Sequence, residues 1–311
     1  MNKYNSSKIY LAGHQGMVGS RLYSILQDEG YNNIIYADIN ELDLRNQEDT
    51  MEFITQNRPN VVLLIAGKVG GIKANIDYPA EYLYDNLIIA ANVIEASRKN
   101  NVEKLIYLGS SCVYPRLAKQ PMKEEYLLTG PFEPTNEAYA IGKVAGLKLC
   151  QYYRVQYGCN FIALMPPNLY GPGDHFNTER SHVISALISK IHTAKVNNDK
   201  EIVVWGSGQA RREFLYVDDI CYGIIYILEH YDGPEHINVG FGKDYSIKEL
   251  FQIIKEIIGY NGTAIWDTKY PDGMPQKLMD SSKILSLGWK PKTSLEEGLR
   301  ITYNYFIENC I

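Results

Sequence analysis

The sequence predicts an α/β protein: a doubly wound parallel sheet of the Rossmann type with a smaller C-terminal α/β substrate domain. Three observations predict it. Through the first half, short unbroken apolar runs alternate with helical stretches, as expected of parallel strands covered on both faces. The first run, Ile9-Tyr10-Leu11-Ala12, leads directly into Gly13-x-x-Gly16-x-x-Gly19. The chemically active residues fall just beyond predicted strand ends, where ligands bind in such sheets. Gly13 follows strand one, Gly67 and Gly70-Gly71 strand three, Ser110-Ser111-Cys112 strand four.

Taken in order, the first strand covers 9–12, and the glycines open a helix that runs to about residue 30. Strand 34–37, helix 47–57, strand 61–65 and a long helix 80–99 follow. Next come strand 104–108, a second long helix 138–157 and strand 161–165. Beyond Pro172 the rhythm is irregular. A helix over 181–195 precedes an isolated strand 202–205; helix 216–230 and strand 237–239 return to the sheet. From Ser246 two helices and a strand form a small separate cap. The expected division is a dinucleotide-binding domain of 1–172 plus about 214–241, and a second domain of about 173–213 plus 242–311.

Composition narrows the function. The 311 residues are 45% hydrophobic and 22% charged, ordinary for a soluble globular chain. A net charge of -5 argues against nucleic acid or an anionic membrane as partner. No apolar run approaches the roughly 18 residues of a membrane span, and the opening residues lack a signal-peptide core. Five cysteines, at 112, 150, 159, 221 and 310, are odd in number and without a CxxC pair, which predicts neither a disulfide scaffold nor a metal site. A cytoplasmic location fits.

The glycine motif suits a dinucleotide. Gly13 permits a tight turn, Gly16 lets backbone approach pyrophosphate, and Gly19 allows close helix packing, with the helix N-terminus supplying free N–H donors. At the end of strand two, Asp38 could accept from both ribose hydroxyls and repel a 2′-phosphate, which leans toward NADH. Asp38 could equally cap a loop. Tyr139 and Lys143 are four apart on a helix and so share a face. A nearby ammonium is expected to draw the phenol, ordinarily near pKa 10, toward neutrality. Ser110 could hydrogen-bond the same substrate oxygen. By the residues alone Cys112 is a small buried hydrophobe and His182 a residue at a helix start.

These motifs resemble the extended short-chain dehydrogenase/reductase family, in particular its members that act on GDP-linked 4-keto sugars. The resembling blocks include Lys68-Val69-Gly70-Gly71-Ile72, Gly109-Ser110-Ser111-Cys112-Val113-Tyr114-Pro115 and Glu133-Pro134-Thr135-Asn136-Glu137-Ala138-Tyr139-Ala140. Asn168–Pro172, Ser181-His182-Val183, Val204–Gly208 and Arg212-Glu213-Phe214 extend them over nearly the whole chain. The resemblance implies a catalytic set of Ser110, Tyr139 and Lys143, with Cys112 and His182 moving protons at the two carbons flanking the keto group. It implies cofactor contacts from Met17, Val18, Pro166, Asn168, Leu169 and His182, and substrate contacts from Lys190, Trp205, Arg212, Asp272 and Lys277. It implies NADPH as cofactor and a homodimer formed through helices 80–99 and 138–157. Departures from the family pattern are Gln15 where NADPH users carry a base, Pro167 in place of threonine, a shifted His175, and Gln276 beside Lys277. They leave open an epimerase/reductase of a GDP-4-keto-6-deoxy sugar and a C4 reductase alone on a related sugar such as a GDP-heptose. Because fold alone does not settle function, a non-catalytic dinucleotide-binding protein is the third expectation.

Overall fold

The apolar runs become a six-stranded sheet, all parallel, in the order β2-β1-β3-β4-β5-β9. The computed structural model describes residues 2–176 and 181–311. In chain order the strands are β1 (Ile9–Ala12), β2 (Ile34–Ile35), β3 (Val61–Leu64), β4 (Lys104–Leu108), β5 (Phe161–Met165) and β6 (Asn168–Tyr170), then β7 (Glu201–Trp205), β8 (Arg211–Tyr216), β9 (Ile237–Asn238), β10 (Asp244–Ser246), β11 (Thr263–Asp267) and β12 (Gln276–Lys277). The helices are α1 (Met17–Asp28), α2 (Gln47–Asn57), α3 (Ile72–Asp77), α4 (Pro79–Lys99) and α5 (Glu137–Tyr157), then α6 (Val183–Asn197), α7 (Val217–His230), α8 (Ile247–Ile258), α9 (Ser282–Ser286) and α10 (Leu295–Asn309).

Period-two alternation explains why the strands lack a polar face. Ile9, Leu11, Val61, Leu63, Ile106 and Leu108 point into one core, shared with α1 and α7. Their neighbours Tyr10, Val62, Leu64, Leu105 and Tyr107 point into a second core, shared with α4 and α5. Each fully buried aliphatic side chain adds about 1.5–3 kcal/mol, so neither face tolerates a polar exchange. Because β1 lies between β2 and β3, the loops after β1 and β3 diverge there and leave a crevice at their carboxyl ends.

A lysine inside β4 is the exception, and its environment accounts for it. The buried Lys104 ammonium donates to the carbonyls of Ile227 (3.0 Å), Leu228 (2.7 Å) and Tyr231 (2.6 Å) and to Asp232 (2.9 Å). It thereby satisfies the open carbonyls at the C-terminus of α7.

The second half is organised around β8, which pairs with β6 and β12 in parallel and with β10 antiparallel. Three expectations are corrected here. The second strand is two residues rather than four, because the chain turns at Asp38, whose carbonyl accepts from Glu41 N (3.1 Å) and Leu42 N (2.8 Å). The strand at 201–205 is not isolated: β11 pairs with it in parallel over its full length. The last stretch contains three helices rather than two, and it does not stand apart. Leu250, Phe251, Leu299 and Phe306 share one core with Ile184, Phe214 and the sheet residue Leu108.

Candidate active site

The glycine loop forms a cradle that side chains would fill. Gly13 turns at φ +97°, and a Cβ there would lie 2.6 Å from the amide nitrogen of Ala66. A Cβ at Gly19 would collide with the carbonyl of Gly13, so α1 can approach β1 only without one. Gly16 stands at the N-cap of α1 with no side-chain cap, and the first-turn amides of Met17 and Val18 remain for an anion. These residues fit a dinucleotide pyrophosphate. Further out, Asp38 Oδ1 accepts from the amides of Asn40 (2.7 Å) and Glu41 (3.2 Å), so this carboxylate does cap its loop. Beside it the His14 ring stacks on Tyr36 at 4.4 Å, and Tyr36 meets Tyr23 edge-on at 5.3 Å. This aromatic wall was not singled out by the sequence reasoning. On the other side Pro166 accepts from Ser111 N (2.9 Å), which sets the start of β6 with Asn168 and Leu169 beside the loop after β4.

At that loop Ser110 caps a single 3₁₀ turn, its Oγ accepting from Cys112 N at 3.2 Å. Tyr139 and Lys143 sit one turn apart on the buried face of α5. Lys143 Nζ donates to the Leu108 carbonyl at 3.1 Å, lies 5.1 Å from the centre of the Tyr107 ring and 6.0 Å from that of Tyr139. A Cβ at Gly67 would be 2.9 Å from that ammonium, so the loop after β3 closes over it. Burial pushes the Lys143 ammonium down to about 8, with the charge of Cys112 opposing. Burial also holds the Tyr139 phenol well above its usual range; Cys112 adds to this, and a hydrogen bond from Ser110 pulls the other way. The expected drift of the phenol toward neutrality is therefore corrected. Desolvation dominates at this buried phenol, and the Lys143 ammonium makes its hydrogen bond to a backbone carbonyl rather than to it.

Cys112 and His182 face a common cavity of ≈ 530 Å³, with Asn168, Lys190, Trp205 and Arg212 also on its walls. His182 reaches it as the extended N-cap residue of α6. Cys112 Sγ accepts from Asn136 Nδ2 (3.2 Å) and from Lys277 Nζ (3.3 Å). Burial raises the thiol, but the charge of Lys277, hydrogen bonds from Ser110 and Lys277, and the charge of Arg212 together bring it below its ordinary value. At the far wall Lys190 Nζ lies 5.5 Å over the Trp205 ring, and Trp205 stacks on Tyr270 at 4.1 Å with 9° between planes.

Asp272 lies at the cavity but is already engaged. Its carboxylate accepts from Ser207 N (2.7 Å) and Ser207 Oγ (2.7 Å), while its carbonyl accepts from Arg212 Nη2 (2.8 Å). It orients Arg212 through its backbone. Tyr270, Asn136 and the Lys277–Cys112 contact were missed by sequence reasoning. Asn136 stood in a quoted motif, three residues before Tyr139; the other two carry no local signal. Among the described residues no group of three or more His, Cys, Asp or Glu could hold a metal ion.

Residues 9–240 match the NAD dependent epimerase/dehydratase family. The chain belongs to that family. It is 50% identical to the GDP-L-fucose synthase of Sinorhizobium fredii over 98% of this chain and 97% of the relative. Among solved structures, a GDP-6-OMe-4-keto-L-xylo-heptose reductase from Campylobacter jejuni superposes with TM-score 0.95 at 37% identity, covering 99% of each chain. A GDP-D-glycero-L-gluco-heptose synthase from the same organism, solved in the presence of NADPH, gives 0.89 at 38% identity over 97% of this chain and 98% of that one. As an enzyme of this family, the chain uses an NAD(P) cofactor. No helix among the described residues is long and apolar enough to cross a membrane.

Proposed function

We propose that this enzyme converts a GDP-linked 4-keto-6-deoxy sugar by epimerising C3 and C5 and then reducing the C4 ketone. The observation that carries the reading is that Cys112 and His182 face one cavity while Cys112 packs against the cluster of Ala74, Tyr82 and Tyr139. A 4-keto sugar has acidic hydrogens on both carbons beside its carbonyl. Cys112 Sγ would take one of these protons, and the hydroxyls of Ser110 and Tyr139 would donate to the enolate oxygen. His182, elsewhere on the cavity wall, would return a proton to carbon. When bound, the nicotinamide supplies hydride to C4. Tyr139 then protonates the C4 oxygen, a role that suits a phenol whose burial keeps its proton on at neutral pH. Lys143 replaces the charge balance at that phenol, and its own value of about 8 lets it exchange protons near neutrality.

Around this centre Trp205 and Lys190 would hold the nucleotide end, with Arg212 beside the diphosphate. The dinucleotide would occupy residues 1–172 plus about 214–241, and the sugar nucleotide 173–213 plus about 242–311. NADPH is supported by the relative solved with it, NADH by Gln15 in place of a base. A homodimer is supported by the exposed apolar residues Tyr84, Leu87, Ile141, Tyr152 and Val155 on α4 and α5. We place it in the cytoplasm, with neither nucleic acid nor membrane as partner.

A second reading, a C4 reductase acting on a GDP-4-keto-heptose, is favoured by the likeness to the Campylobacter reductase. One experiment separates the two. The enzyme is incubated with GDP-4-keto-6-deoxymannose and NADPH or NADH in deuterated water. Deuterium at C3 and C5 with cofactor oxidation supports the first reading; oxidation without deuterium supports the second. Neither event with any GDP-4-keto hexose or heptose would overturn both.

A further inference from the structure

We propose that Lys277 is the positioning residue that holds Cys112 as a thiolate, so that the sulfur is a ready base for a carbon-bound proton. The inference deepens the reading of Cys112 given above and rests on it. The resemblance had assigned Lys277 to the substrate; the geometry points its ammonium at the sulfur instead, at 3.3 Å. Lys277 is on the cavity wall but only 6% exposed, and among the described residues the one partner its ammonium meets there is the sulfur.

The strand that carries it is tied down on every side. In β12, Lys277 pairs with Arg212 and Gln276 with Arg211 of β8. The Gln276 amide donates to Asp244 Oδ2 (2.6 Å), and its carbonyl accepts from Gln120 Nε2 (3.2 Å). Leu278 N donates to Gln120 Oε1 (2.8 Å), and Met279 N to Glu213 Oε2 (2.8 Å). Residues 276, 278 and 279 are all pinned by side chains from elsewhere, which leaves Lys277 a single direction. Such a mount holds the ammonium at a fixed distance from the sulfur.

The charged and titratable neighbours of the sulfur agree. Lys277 faces it from β12 and Arg212 from β8, while Tyr139 and Lys143 act on it from α5. Glu133 and Asp272 bear on Arg212. The cations thus outnumber the acids that act directly on the thiol, and burial removes the water that would screen them. In the step this serves, the substrate C–H bond breaks and an S–H bond forms. The electron pair moves through the new C=C bond onto the carbonyl oxygen, while Lys277 keeps all its protons. Asn136 completes the set by donating to the same sulfur, fixing the lone pair that remains.

The test reads the thiol without needing the reaction. The whole enzyme is alkylated with iodoacetamide across a pH series, and each cysteine peptide is quantified by mass spectrometry. Exposed Cys310 is the internal reference, and buried Cys150 reports on folding. In the native enzyme the Cys112 midpoint is expected below that of Cys310. In Lys277→Met it should rise by about one pH unit or more, and Lys277→Arg should restore most of the shift. If Lys277→Met exposes Cys150, Lys277→Gln is compared with Lys277→Arg instead. An unchanged midpoint in the neutral variants, with only KM for the GDP-sugar raised, would overturn the proposal and return Lys277 to the substrate. A low native midpoint that depends on Lys277, in an enzyme that never exchanges C3 or C5 hydrogen, would leave the pair standing and sink the epimerase reading alone.

Discussion

Two acid–base pairs lie within one site, and they are assembled in opposite ways. Tyr139 and Lys143 occupy one face of α5, one turn apart. Cys112 and Lys277 are 165 residues apart and meet only because β12 pairs with β8. The outcomes are opposite too. On α5 the ammonium is engaged by a carbonyl and stays 6.0 Å from the tyrosine ring centre, so burial prevails and the phenol keeps its proton. At the cysteine the ammonium touches the sulfur, so charge prevails over burial and the thiol is brought below its ordinary value. The same cation type thus supports an acid at one place and a base at the other. What decides is whether it reaches its partner directly.

The comparison can be broken most severely at the acid. Tyr139→Phe should lower C4 reduction on the order of 10²–10⁴-fold, followed by cofactor absorbance; undiminished turnover would remove Tyr139 from the mechanism. Next comes the base. Cys112→Ser should lower deuterium uptake at carbon about 10²-fold or more, and lower it further than it lowers reduction. Equal losses in both would mean that the cysteine shapes the pocket rather than moving a proton.

A smaller effect is expected at the nucleotide wall. Tyr270→Ala removes the ring on which Trp205 lies, and aromatic pairs contribute about 0.5–1.5 kcal/mol beyond their area. Titration should show KM for the GDP-sugar rising several-fold, more than kcat falls.

The smallest effect concerns stability and contrasts two buried groups away from the reaction. Glu213, in β8, accepts from Gly242 N (2.7 Å) and Met279 N (2.8 Å), and burial pushes its carboxyl from 4.5 to about 7. Between those values the folded chain holds a proton that the unfolded chain has lost, so this group's contribution to stability falls as pH rises. His236 lies against Tyr114 and Gln151, and burial pushes it from 6.5 down to about 4. There the unfolded chain holds the extra proton, and the contribution is lost as pH falls through that window. Melting curves at pH 5, 6 and 7 should show Glu213→Gln gaining relative stability toward pH 7. His236→Asn should gain toward pH 5. Parallel curves for both variants and the native enzyme would refute the assignment.

Much of this was legible before any coordinates. The strands at 9–12, 104–108 and 161–165 and the helix at 47–57 have the bounds that the residues predicted. Their signals are local: unbroken apolar runs for strands buried on both faces, and glycines where α1 must touch the turn before it. Asp38 was less legible, since a carboxylate that caps a loop and one that holds a ribose look alike in sequence. The short β2 follows from that same turn. Asp272 could be placed at the cavity but not assigned to Ser207, because hydrogen-bond partners across loops leave no periodicity to read.

By itself the sequence determined the parallel sheet, the cradle after β1 and the shared face of Tyr139 and Lys143. Each depends on periods of two or about four residues, or on a glycine at a turn. Only the tertiary structure decided which cation touches which proton carrier and in which direction each carrier's acidity moves. Those outcomes depend on a balance of desolvation against charge, set by groups that β8, β12 and the loop after β4 bring together from distant parts of the chain.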